Sequence, residues 1–109
     1  AIKVDVGLIY IDSYHPKLKM EKSIHSESYR LFLRLLRDAR ERAGLTQEDL
    51  AHRLQETQSF VSKCERGERR IDVVELRQFC EALGASFVDF SATLDAALGE
   101  PRRRGKHSR

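Results

Sequence analysis

The sequence predicts an all-α fold of five short helices, and three observations predict it. From Ser28 onward apolar residues recur at three- and four-residue spacing, the period of a helix that buries one face. Asp49, Glu75 and Asp89 stand three residues after Thr46, Asp72 and Ser86, the spacing of a helix-capping pair. Gly44, Gly67 and Gly84 follow three of the periodic runs, where a glycine ends a helix. These signals place one compact domain at residues 28–98, after a flexible N-terminal segment, 1–27, and before a basic tail, 99–109.

In the first run, Tyr29–Ala43, Phe32, Leu36, Ala39 and Ala43 form one stripe, Leu31 and Leu35 widen it, and Gly44 stops it. Thr46 opens a second helix of about two turns marked by Leu50, Ala51 and Leu54. Thr57 caps a third, with Val61 and Cys64 inward, which ends at Gly67. Asp72 opens a fourth with Val73, Leu76, Phe79, Cys80 and Leu83 inward, and Ser86 a fifth with Phe87, Phe90, Leu94 and Leu98 in register. Ahead of these, Ile2, Val4, Val6, Leu8 and Tyr10 alternate at a strand period until Pro16. That segment reads either as an edge strand or as a leader outside the functional domain. The second is preferred, because no strand partner follows and a chain starting at Met20 would look complete.

Charge is unevenly placed. Lys and Arg number 20 against 17 Asp and Glu, but residues 28–98 carry 11 against 12 and residues 99–109 carry five against one. A tail with nothing apolar to bury is expected to be disordered, and its charge suits phosphate or simple solvation equally. No apolar run reaches the length of a membrane span and no signal-peptide pattern opens the chain, so a soluble, cytoplasmic protein is expected. Cys64 and Cys80 lack metal-ligand spacing and read as reduced core thiols; no metal site and no cofactor are expected. There is no Gly-rich phosphate loop, His-Glu-x-x-His or Ser/His/Asp set, and a domain this small has little volume for a substrate pocket. The pattern is that of a binding protein, with no catalytic residues and no small-molecule substrate.

Its informative part lies between Thr46 and Gly67. Two short helices that cross closely need a small residue at the crossing, here Ala51, and a shared apolar face, here Leu50, Leu54, Val61 and Cys64. Gln58, Ser59, Ser62, Lys63 and Arg66 then point outward, hydrogen-bonding and positive types that suit a major groove. Other amphipathic helix pairs also expose polar residues, so this pattern alone leaves DNA binding and a generic helix pair both open.

The run Arg40-Glu41-Arg42-Ala43-Gly44-Leu45-Thr46-Gln47-Glu48-Asp49-Leu50-Ala51, continued by Gln58 to Arg70 and closed by Leu76 and Leu83-Gly84, resembles the lambda-repressor/Cro-like helix–turn–helix family, the xenobiotic-response-element type. The resemblance spans about residues 28–98. It implies a lambda-repressor-like DNA-binding domain, in which Gln47, with Thr46, bonds a DNA phosphate at the start of the second helix. Thr57, Gln58, Ser59, Ser62 and Lys63 fall where family members face DNA, a Gln pairing with adenine and a Lys with guanine acceptors. Arg66, Arg69 and Arg70 fall where the duplex backbone is touched. Arg40 and Glu65 match a structural ion pair joining the first helix to the end of the third. The chain departs from the pattern at Gln55-Glu56, which stand where a glycine and an apolar residue are usual.

The function so implied is a small bacterial or phage-derived transcriptional regulator associated with the nucleoid. It would act as a repressor, a homodimer on a palindromic double-stranded DNA operator. Phe87, Phe90, Leu94 and Leu98 are the candidate dimer face, with packing inside one protomer as the alternative. Two other readings stay open: a standalone controller or antitoxin that autoregulates its operon with a partner protein, and a protein–protein adaptor on the same fold.

Overall fold

In the computed structural model the described residues are 26–99, and their regular structure is helical throughout: α1 (Glu27–Arg42), α2 (Gln47–Leu54), α3 (Gln58–Glu65), α4 (Val73–Leu83) and α5 (Phe87–Gly99). The expected edge strand or leader, the start at Met20 and most of the basic tail lie outside the described residues. The five helices match the predicted five in order.

Local chemistry sets the helix ends. Ser26, Thr46, Thr57 and Asp72 are extended residues whose side-chain oxygens accept a backbone N–H of the first turn. At Thr46–Asp49 and Asp72–Glu75 the bond is reciprocal, so two orphan donors are satisfied at each end. The Ser86 hydroxyl accepts from the Asp89 N–H at 3.0 Å, opening α5 as the spacing predicts.

α2 ends on a non-glycine residue in the left-handed region, Gln55 with φ 58° and ψ 44°. An L side chain in this conformation costs about 1–2 kcal/mol. Gln55→Gly is expected to stabilise the domain by about 1 kcal/mol, read as a rise of roughly 4–8 °C in Tm for a domain of this size; an unchanged or lower Tm would show that the turn is relaxed by contacts of the Gln side chain.

Each helix gives one face to a common core. α1 supplies Phe32, Leu33 and Leu36; α2 Leu50 and Ala51; α3 Val61 and Cys64; α4 Leu76, Phe79, Cys80 and Leu83; α5 Phe90; and the α3–α4 loop Ile71. α3 packs on α1 and α2, α4 on α2, and α5 on α4 and α1. The helix-turn-helix pair is therefore backed on every inward side. The rings of Phe32 and Phe90 meet edge to face at 6.1 Å between centroids, a favourable quadrupole arrangement.

Ala43 and Val73, both expected to face inward, are exposed. The α1 stripe is centred on Phe32, Leu33, Leu36 and Arg40; Leu31 and Leu35 are half-buried, and Ala43 is the exposed C-cap. The stripe turns because a buried arginine occupies the position that an apolar residue would take. Val73 is 66% exposed, being the first residue of α4, with its side chain on the solvent side of the Asp72 cap. Cys64 and Cys80 are both free and buried, and burial pushes both thiols up, away from the reactive thiolate. Among the described residues no group of His, Cys, Asp or Glu could hold a metal, and no helix is long and apolar enough to cross a membrane.

Candidate nucleic-acid interface

The site grows outward from a buried charge. Arg40 and Glu65 side chains are only 9% and 4% exposed, with Arg40 Nε 2.6 Å and Nη2 3.0 Å from the two carboxylate oxygens. Two parallel bonds of this kind fix both the distance and the plane of the groups. The remaining Arg40 donor, Nη1, reaches the Leu45 carbonyl at 2.8 Å. Glu65 raises the guanidinium above its ordinary value, chiefly by that hydrogen bonding. No buried side-chain nitrogen or oxygen among the described residues lacks a partner. The pair thus ties α1, the α1–α2 turn and the end of α3 together.

From Glu65 a second bond continues to the surface. Gln47 Nε2 donates to Glu65 Oε1 at 2.9 Å, and Gln58 Nε2 donates to Gln47 Oε1 at 2.7 Å. A carboxylate only accepts, so Gln47 must turn its NH2 inward and its oxygen outward. That oxygen in turn requires the NH2 of Gln58. The orientation of an exposed amide at the start of α3 is dictated by a carboxylate at the other end of the same helix. Gln58 keeps its own oxygen and its second N–H for an external partner.

Other sequence-predicted residues separate into two sets. Ser59 and Lys63 are exposed on α3, and their side chains make no hydrogen bond or ion pair among the described residues. The Thr46 and Thr57 hydroxyls accept from the Asp49 and Phe60 N–H groups, which leaves each hydroxyl hydrogen available outward. Arg66 is clasped by Glu68 through Nε at 2.9 Å and Nη2 at 3.1 Å, and its Nη1 bonds the Ser62 hydroxyl. Arg69 is bound in parallel by Glu75, both contacts at 2.9 Å, while its guanidinium lies 4.8 Å from the centroid of the Phe60 ring. The guanidinium of Arg70 lies over Tyr29 at 4.9 Å, and the Tyr29 hydroxyl accepts from the Ile71 N–H at 2.9 Å. Ser62, Arg66 and Arg69 therefore already have intramolecular work. On α5, Phe90 is buried in the core, Phe87 and Leu94 are half-buried against it, and Leu98 is 44% exposed.

Gln47 as the link between Glu65 and Gln58 was missed by sequence reasoning. Its signal is the spacing of three polar groups that meet only after α2 and α3 have crossed. Glu75 was assigned as a cap alone, but it also holds Arg69.

Arg69 holds the Glu75 carboxyl below the usual carboxylate range, with the Asp72 N–H bond adding to this. A carboxyl lowered in the folded state stabilises above its unfolded pKa, and that stability is lost as pH falls through the folded value. The pair is half-exposed, so Glu75→Gln is expected to cost only about 0.5–1 kcal/mol at pH 7. The gap to wild type should close in urea melts as the pH falls below the ordinary glutamate range. A gap that stayed constant as the pH fell would assign the loss to the helix cap alone.

Three comparisons bear on this geometry. Residues 31–91 match the model of a family described as a helix-turn-helix domain. None of the curated proteins compared with the chain matches it. Among solved structures, an XRE-family like protein from Pseudomonas syringae pv. tomato str. DC3000 is 46% identical, with a TM-score of 0.64 over 68% of this chain and 90% of that one. The wild-type restriction-modification controller protein C.Esp1396I is 25% identical, with a TM-score of 0.63 over 70% of this chain and the whole (100%) of that one. The clp gene regulator ClgR from C. glutamicum is also 25% identical, with a TM-score of 0.60 over 71% and 100% of the two chains. The packing of α2 on α3 with Ala51 buried, the outward polar face of α3 and these likenesses agree. This chain belongs to the helix-turn-helix family, as a DNA-binding transcriptional regulator of the XRE type.

Proposed function

We propose that the protein is a sequence-specific repressor that reads each half of a two-fold operator with α3 and binds as a homodimer. The observation that carries this reading is the Glu65–Gln47–Gln58 chain, which delivers an oriented amide to the solvent face of α3 beside Ser59 and Lys63. An amide that offers both a donor and an acceptor matches the N7 and N6 edge of adenine, and a lysine matches guanine O6 and N7. Thr46 and Thr57, at the N-termini of α2 and α3, set hydroxyl donors where the helix dipoles favour a phosphate. Ser62, Arg66, Arg69 and Arg70 border this face. Arg66 and Arg69, each held by a carboxylate, act there as fixed walls more than as free cations. For the dimer, α5 offers Val88 at 72% and Leu98 at 44% exposure, with Phe87 and Leu94 half-buried next to them. Two half-sites one helical turn apart can then be read together.

A second reading, a standalone controller acting with a partner gene product, is favoured by likeness to the restriction-modification controller protein over that protein's full length. An adaptor without DNA binding is disfavoured by the donor-rich face of α3.

Selection from random-sequence duplex with the full chain tests the proposal. The expected result is a palindromic motif, and a Gln58→Ala/Lys63→Ala variant that keeps its fold and loses roughly 10–100-fold in preference for that motif over unrelated duplex. Recovery of no motif overturns the regulator reading. A motif with unchanged preference in the variant moves the reading face elsewhere.

A further inference from the structure

α1 carries Arg30, Arg34 and Arg37 at helical positions four and then three residues apart, so the three leave the helix on one side. With Leu33 of the same helix and Glu65 and Arg66 at the end of α3, they line a groove of about 210 Å³. Its charge is unbalanced. Glu65, the single acid of the lining, is consumed by Arg40 and Gln47, and Arg66 is matched by Glu68. Arg34 and Arg37 are exposed and make no ion pair or hydrogen bond among the described residues. Asp38 lines a different groove, with Ala85 and Phe90. Arg34 and Arg37 stand one turn apart, and the repulsion between like charges at that spacing would be relieved by an anion bound between them.

The groove begins where the outward face of α3 stops, because Arg66 lines the one and bonds Ser62 on the other. α3 is eight residues long. That makes it about 12 Å, close to the width of the major groove. With its first turn over base edges, its last residue stands at the phosphate wall, and α1 is the next surface the backbone meets. Resting on the reading of α3 above, we propose that this groove is a phosphodiester site: Arg34 and Arg37, flanked by Arg30 and Arg66, grip the DNA backbone just outside the half-site that α3 reads.

The test compares the full chain with Arg34→Gln/Arg37→Gln on the duplex recovered by selection. One duplex is trimmed to the motif and another carries about ten flanking base pairs on each side. Each phosphate neutralised contributes about 0.9 to the slope of log K against log salt. The variant should flatten that slope by about 2 per protomer on the longer duplex and leave it unchanged on the trimmed one. Arg34→Lys/Arg37→Lys should keep the wild-type slope, and circular dichroism should be the same for all three proteins. An unchanged slope on the longer duplex overturns the proposal, as does an equal loss on both lengths. Competition by inorganic phosphate at matched ionic strength that removes only this increment would mark a free-anion site, and would also overturn it. If the wild-type chain selects no duplex, the reading of α3 falls, a result separate from any behaviour of the arginine variant.

Discussion

Glu65→Ala is expected to destabilise the protein by about 3–5 kcal/mol, because it leaves the Arg40 guanidinium buried without its counter-charge. A small domain holds roughly 5–15 kcal/mol in all, so a large share of its stability should be lost. Urea denaturation measures this directly, as a lower midpoint at unchanged slope. Arg40→Met/Glu65→Leu should recover most of that loss, since an apolar pair of similar volume avoids the desolvation of two ions. The recovered variant should nonetheless bind the selected duplex with reduced preference, because Gln47 and Gln58 have lost the carboxylate that orients them. A fully stable double variant with wild-type preference would show that the amide chain has no part in reading DNA.

Phe79→Ala should cost a similar amount, about 3–5 kcal/mol, by removing a ring that is 2% exposed at the centre of the core. Its effect should reach the surface as well. Phe79 lies 6.4 Å from Phe60, and Phe60 carries the Arg69 guanidinium that Glu75 holds from the other side. Phe79→Leu, which keeps much of the volume, should cost less than half as much in the same urea melts. Equal losses for the two variants would mean that the aromatic contact with Phe60, and not the filled volume, is what matters at this position.

Much of the architecture is legible in the sequence because its signals are local. A capping box spans three residues, and the pairs at Thr46 and Asp72 fix two helix starts without reference to the rest of the chain. What was less legible depends on which side chains meet through space. Leu33 and Arg40 face inward and Ala43 outward, and a period of apolar residues does not register a buried arginine. Arg66 and Arg69 look like free cations in a basic stretch, yet Glu68 and Glu75 engage them. Gln47 looks like a residue waiting for a phosphate, and it already serves as a hinge pin between a carboxylate and a second amide. The resemblance supplied the roles of Arg40 and Glu65, which composition and spacing alone do not indicate.

The side chains of Ser59 and Lys63 take no part in holding the chain together, whereas Arg40 and Glu65 hold it from beneath and reach the solvent face of α3 only through Gln47 and Gln58. On the proposed reading, Ser59 and Lys63 stand apart from the framework, whereas Gln58 belongs both to it and to the reading face. Exchanging Ser59 and Lys63, two solvent-facing side chains, would on that reading change which operator is preferred with no repair needed in the interior, and a library randomised at those two positions should yield folded proteins almost throughout.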